Sequence, residues 1–148
     1  MNIAQQSAVI VQNANPLMAL SYQNDVLIKR FSKRNNVSLK KSYHLFEEMK
    51  KFLIICRMLG ESCSPSKDLD EMWHHFILYT RDYKDFCITY LGKFIHHNPT
   101  ETPVVSSRRS MIELAEKTFG SIDRSLWPST EKIACNSFCS GDDYCSGD

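Results

Sequence analysis

The chain has 148 residues, 43% of them hydrophobic and 24% charged, enough for one globular domain and too few for a second of ordinary size. Its 18 Lys and Arg against 17 Asp and Glu leave a net charge of +1, so bulk charge does not mark a polyanion binder, and nucleic acid is not the expected partner. Six cysteines exceed ordinary usage yet fall short of a small disulfide scaffold, so their positions decide what they mean.

Residues 1–14 are rich in Gln and Asn without a clear period, which predicts a flexible N-terminus. The first 24 residues carry no charge, but their apolar runs are short and lack a basic flank, so no secretory signal is read there. No stretch reaches the roughly 18 apolar residues that a membrane span needs. The expectation is a soluble protein of the reducing cytoplasm, where cysteines act as buried hydrophobes, metal ligands or reactive thiols more often than as disulfides.

Asn15 before Pro16 reads as a cap followed by proline at the first helical position, and Leu17, Leu20, Leu27, Ile28 and Phe31 share a face, predicting a helix over 16–32. Ser38 caps a second helix with apolar Leu39, Tyr43, Phe46, Met49, Leu53 and Cys56, stopped by Gly60 as a left-handed cap. Ser64 and Pro65 announce a helix over 66–79, Thr80 caps another over 81–91 that stops at Gly92, and 94–99 is extended ahead of Pro99. A last helix over 108–119 ends at Gly120, and Trp127 and Pro128 close the globule. The architecture predicted is all-α: a small bundle of about five helices over 15–128, with a disordered Cys-containing tail over 129–148. Charge is uneven along it, with nine Lys and Arg against two Glu between Val26 and Arg57. Without interleaved aromatics that excess reads first as a solvated helix face, and second as a site for an anionic partner or for the acidic tail.

The densest stretch of unusual residues runs from Asp68 to Cys87 and on through Gly92 to Pro99. Asp70 and His74 are spaced i, i+4, so the carboxylate can accept the imidazole N–H and raise the basicity of the other nitrogen. Glu71 and His75 repeat the spacing about 100° round the helix, so only one pair can face the core. On one continuous helix Cys87 would lie roughly 20 Å along the axis from His74, and the two can meet only if the chain turns at Thr80. His96 and His97 sit on an extended segment, whose neighbouring side chains point to opposite faces, so at most one aims at the site.

The pattern Asp70-x-x-Trp73-His74, Thr80-Arg-Asp-Tyr83-x-x-Phe86-Cys87, Gly92 and His96-His97-x-Pro99, with Pro65-Ser66 before it and Thr118-Phe119-Gly120 and Trp127 after it, resembles the glycine-rich-domain-containing-protein-like family, especially its short bacterial members, over roughly 26–128. That resemblance implies an α-helical domain and names no reaction.

The candidate metal ligands are therefore His74, Cys87, His96 and His97, with Asp70, Trp73 and Tyr83 orienting them, and imidazole and thiolate donors suit zinc, or iron as a second borderline metal. The competing reading makes Trp73, His74, Tyr83 and Cys87 a buried polar knot in which Cys87 is a small hydrophobe. Cys56 reads as core and Cys63 as an incidental loop residue. A thiol enzyme with Cys87 as nucleophile lacks any oxyanion-hole signal.

The tail carries Cys135, Cys139 and Cys145, with Cys-Ser-Gly-Asp repeated at 139–142 and 145–148. Its readings are a soft-metal clamp, a redox-active arm, a peptide presented for modification, or a low-complexity end. The function expected is a helical binding or adaptor module with a protein partner and a His/Cys metal site. The alternatives are a metal-dependent enzyme on the same residues and a carrier of the cysteine tail.

Overall fold

The computed structural model describes residues 15–60, 63–98 and 105–129, and among them the chain is all-α with no strand. A 3₁₀ turn, Pro16–Ser21, precedes α1 (Asp25–Asn35), α2 (Leu39–Leu59), α3 (Lys67–Ile77) and α4 (Thr80–Phe86); a π-helical turn, Cys87–Leu91, and α5 (Val105–Phe119) follow. The expectations for 1–14 and for the tail, with Cys135, Cys139 and Cys145, lie outside the described residues.

The central element is α2, about 31 Å long for its 21 residues, which packs against α1, α3, α5 and the 3₁₀ turn. Five consecutive residues from Phe52 to Cys56 are buried, more than one helical face can account for, so α2 is enclosed on all sides at that level. Enclosure also buries two charged residues. The Lys50 ammonium donates to the carbonyls of Leu20 and Tyr22 at 2.8 and 2.7 Å and pairs with Glu47 at 2.9 Å. The Glu48 carboxylate accepts from Trp127 Nε1 at 2.7 Å, the Asp123 amide at 3.1 Å and Lys51 Nζ at 2.7 Å, binding the 121–128 segment to α2.

These contacts explain why a single helix over 16–32 does not form. Asn15 does cap the first turn, accepting from the Leu17 amide, but Asn24 restarts the chain by accepting from the Leu27 amide at 3.1 Å. The Leu20 and Tyr22 carbonyls, which an uninterrupted helix would use internally, belong to Lys50 instead. Ser38 caps α2 and Gly60 ends it at φ 68°, both as the sequence predicts.

The next helix starts one residue late, at Lys67, with Ser66 as its cap, and stops at Ile77. The break falls at Leu78–Tyr79. Tyr79 caps α4 without a side-chain hydrogen bond, and Thr80 is the first helical residue rather than the cap. The 81–91 helix proves to be two parts, an α-helical turn and a π turn, ended by Gly92 at φ 73°. This π turn packs on the 3₁₀ turn, where Tyr22 meets Phe86 at 5.1 Å and Tyr90 at 6.0 Å between ring centroids. The last helix begins at Val105, three residues before the position expected, and ends as expected at Phe119.

Candidate metal centre

Residues from α3 and from the extended segment after Gly92 meet at one point on the surface. On α3, the i, i+4 spacing sets His74 Nδ1 at 3.1 Å from Asp70 Oδ2 and 2.8 Å from the Asp70 carbonyl. From the other side His97 Nε2 lies 2.6 Å from Asp70 Oδ1, and the two imidazoles face each other with centroids 4.2 Å apart. One donor atom from each of Asp70, His74 and His97 falls within 4.8 Å of the others, a grouping able to hold a metal ion. The site is graded in exposure: the His97 side chain is 13% exposed, Asp70 35% and His74 56%.

What delivers His97 is a short relay of buried polar groups. Trp73 Nε1 donates to the Tyr83 hydroxyl at 2.9 Å, and that hydroxyl donates to the Ile95 carbonyl at 2.6 Å. The extended segment is thereby fastened two residues before His97, whose ring packs on the Trp73 indole at 4.4 Å. Burial raises the Tyr83 hydroxyl far above its ordinary pKa, so it stays protonated and able to donate.

A family model described as UCP032817-like matches residues 12–114 of the chain. The chain belongs to the UCP032817-like family. No curated protein and no solved structure matches it. The span matched to the UCP032817-like family contains the whole Asp70, His74 and His97 cluster and its Trp73–Tyr83 support, and ends within α5.

Within this UCP032817-like domain the residues singled out by the sequence divide. Asp70, His74 and His97 come together, and Trp73 and Tyr83 position the segment that carries His97. Cys87 does not join them. The chain does turn between His74 and Cys87, but Cys87 follows the buried Tyr83 by one helical turn and is itself buried, beside Tyr83 and Ile95, where burial raises its pKa. His96 points away as well, as alternation on an extended segment demands, and packs on Phe94 with centroids 4.8 Å apart. Asp70 stands not behind the ligands but between them, contacting both imidazoles.

Of the two i, i+4 pairs, the buried imidazole is His75. Its Nε2 lies 3.1 Å from the Leu27 carbonyl, its ring packs between Phe31 and Tyr79, and burial lowers its pKa, with Arg34 and Arg30 adding to the effect. The sequence reading overlooked Glu48 as the anchor of Trp127, and no local pattern signals it, because its partners lie 75 and 79 residues away.

The donor chemistry of the cluster fits a divalent transition metal: two imidazoles and one carboxylate. Tetrahedral coordination would set donors about 3.3–3.6 Å apart, wider than the 2.6 Å contact of Asp70 with His97, so that contact would have to open to admit a metal. Asp70 sits on an open helix face and can rotate to do so. If all three residues bound one metal, they would leave at least one further coordination position.

Proposed function

We propose that this protein is a helical metal-binding module whose Asp70, His74 and His97 hold one divalent transition metal, zinc first and iron second. The observation that carries the reading is the meeting of two imidazoles and a carboxylate from two separate segments, with donor atoms within 4.8 Å. The least exposed member, His97, is held by the Trp73–Tyr83–Ile95 relay, and a site fixed in advance spends less binding energy on ordering. In this reading Asp70 supplies the anionic donor, both imidazoles bind as neutral bases after losing a proton or changing tautomer, and Trp73 shields His97 from water.

In this reading the module acts in the cytoplasm as a binding or adaptor unit with a protein partner, and the resemblance to the glycine-rich-domain-containing-protein-like family adds only an α-helical domain. Among the described residues no helix is long and apolar enough to cross a membrane. A second reading, a metal-dependent enzyme, draws on a surface cleft of about 320 Å³ beside the cluster. It is lined by Arg34, Asn35, Glu71, His74, His75 and Leu78, so His74 belongs to both cleft and cluster.

Elemental analysis of protein purified without chelator or nickel tests the proposal. About one equivalent of zinc or iron in the wild type, and little in His97→Ala, is the expected result. Metal content near zero in wild-type protein dialysed against zinc and then desalted overturns it.

A further inference from the structure

The end of α2 carries a second pair of reactive groups, separate from the Asp70 cluster. Cys56 lies in the last turn of α2, and its carbonyl accepts the Gly60 amide at 3.1 Å, closing the helix. Gly60, at φ 68°, is the left-handed cap of the helix. Cys63 comes back to Cys56, and the two thiols hydrogen-bond side chain to side chain. Neither is in a disulfide. Both line one cleft of about 180 Å³, shared with Trp73, Lys93, Ile95 and His96. Cys56 is 4% exposed, whereas Cys63 is partly exposed.

We propose that Cys56 and Cys63 are a thiol pair that forms a reversible disulfide across the C-terminal cap of α2 by exchange with low-molecular-weight disulfides. Three features carry the assignment. Both side chains line the same cleft within interaction range of each other, and a disulfide needs the sulfurs at about 2.05 Å. The loop between them is short, so the second sulfur attacks at high effective concentration. Access is graded: a small disulfide entering the cleft meets the partly exposed Cys63 before the buried Cys56.

The Cys63 thiolate attacks one sulfur of R–S–S–R, expels R–S⁻ and forms a mixed disulfide. Cys56 then loses its proton and attacks the Cys63 sulfur, expelling the second R–S⁻. Two protein thiols are oxidised by two electrons, the small disulfide is reduced to two thiols, and the two protons pass from protein to R–S⁻. Burial holds the Cys56 thiol well above the ordinary range, which makes it the resolving rather than the attacking group. The product is uncharged, so it sits in the apolar end of α2 without the cost of a buried thiolate.

The test uses the full chain carrying Cys135→Ser, Cys139→Ser and Cys145→Ser, equilibrated in glutathione buffers from fully reduced to strongly oxidised, quenched by alkylation and read by intact mass and peptide mapping. Expected is the loss of two hydrogens in one step, a linked peptide joining Cys56 to Cys63, and reversal by dithiothreitol. Adding Cys56→Ala is expected to stop the reaction at one glutathione on Cys63, with the helical circular dichroism unchanged. A stable glutathione adduct on Cys63 with Cys56 still open to alkylation after unfolding overturns the proposal. So does a pair that stays reduced in the most oxidising buffer while the urea-unfolded chain forms the link.

Discussion

Replacing Tyr83 by Phe removes one oxygen and keeps the ring that packs on Phe76 at 5.1 Å and Phe94 at 5.2 Å. That oxygen accepts from Trp73 Nε1 and donates to the Ile95 carbonyl, so its loss strands a buried donor and a partly buried acceptor. An orphaned buried polar group costs about 1–3 kcal/mol, and two of them, one partly reachable by water, give about 2–4 kcal/mol. Urea unfolding followed by far-ultraviolet circular dichroism measures this directly, because a change in midpoint at constant slope is a change in stability. The relay also makes the Trp73→Phe and Tyr83→Phe effects non-additive, with a coupling of about 1 kcal/mol or more in the double-mutant cycle. Because the Ile95 anchor lies two residues before His97, Tyr83→Phe is further expected to weaken zinc binding severalfold. A destabilisation under about 0.5 kcal/mol, the level of an ordinary surface change, refutes the relay as a structural support.

Lys50→Met is expected to cost about 2–4 kcal/mol in the same assay, since the Leu20 and Tyr22 carbonyls lose their donor and Glu47 its partner; no change in midpoint contradicts this. Gly60→Ala is expected to cost about 1 kcal/mol from φ 68° alone, because a Cβ there meets nothing within 4 Å, and a loss above about 3 kcal/mol points to a clash the structure does not contain. For His75 the folded-state pKa is depressed, so below about 6.5 the unfolded chain binds the proton more readily, and its contribution, full above that pH, is lost as pH falls through the lower folded-state value. Thermal melts of metal-free protein from pH 7.5 to 5.0 are expected to show a steeper acid loss in wild type than in His75→Gln, and parallel curves contradict the assignment.

Much of this fold was legible in the sequence because its punctuation is local. Ser38, Gly60, Gly92 and Gly120 end or start helices by chemistry that needs no tertiary partner, and all four act where they stand. The break at Tyr22–Asn24 has one local sign, Asn24 as a cap ahead of Asp25, but its other support is distant: Lys50 lies 28 and 30 residues from the carbonyls it takes. The same residue shows why the basic excess of Val26 to Arg57 was ambiguous: Lys50 and Lys51 pair with Glu47 and Glu48, and Arg57 donates to the Leu91 carbonyl at 2.6 Å, so part of the excess is internal. At the site, the i, i+4 spacing brings Asp70 and His74 together and alternation sends only one of His96 and His97 toward them, but which of the two was not legible from the sequence. Cys87 goes into the core instead, one helical turn after the buried Tyr83 and next to the buried Phe86, in line with the alternative reading of Cys87 as a small buried hydrophobe.

The central claim is that Asp70, His74 and His97 form one metal site, and calorimetric titration of the metal-free protein with Zn²⁺ tests it most directly. The account predicts one equivalent bound by the wild type and at least about tenfold weaker binding for His97→Ala. Zinc uptake by the wild type that is unchanged in a chain carrying Asp70→Asn, His74→Ala and His97→Ala together contradicts it.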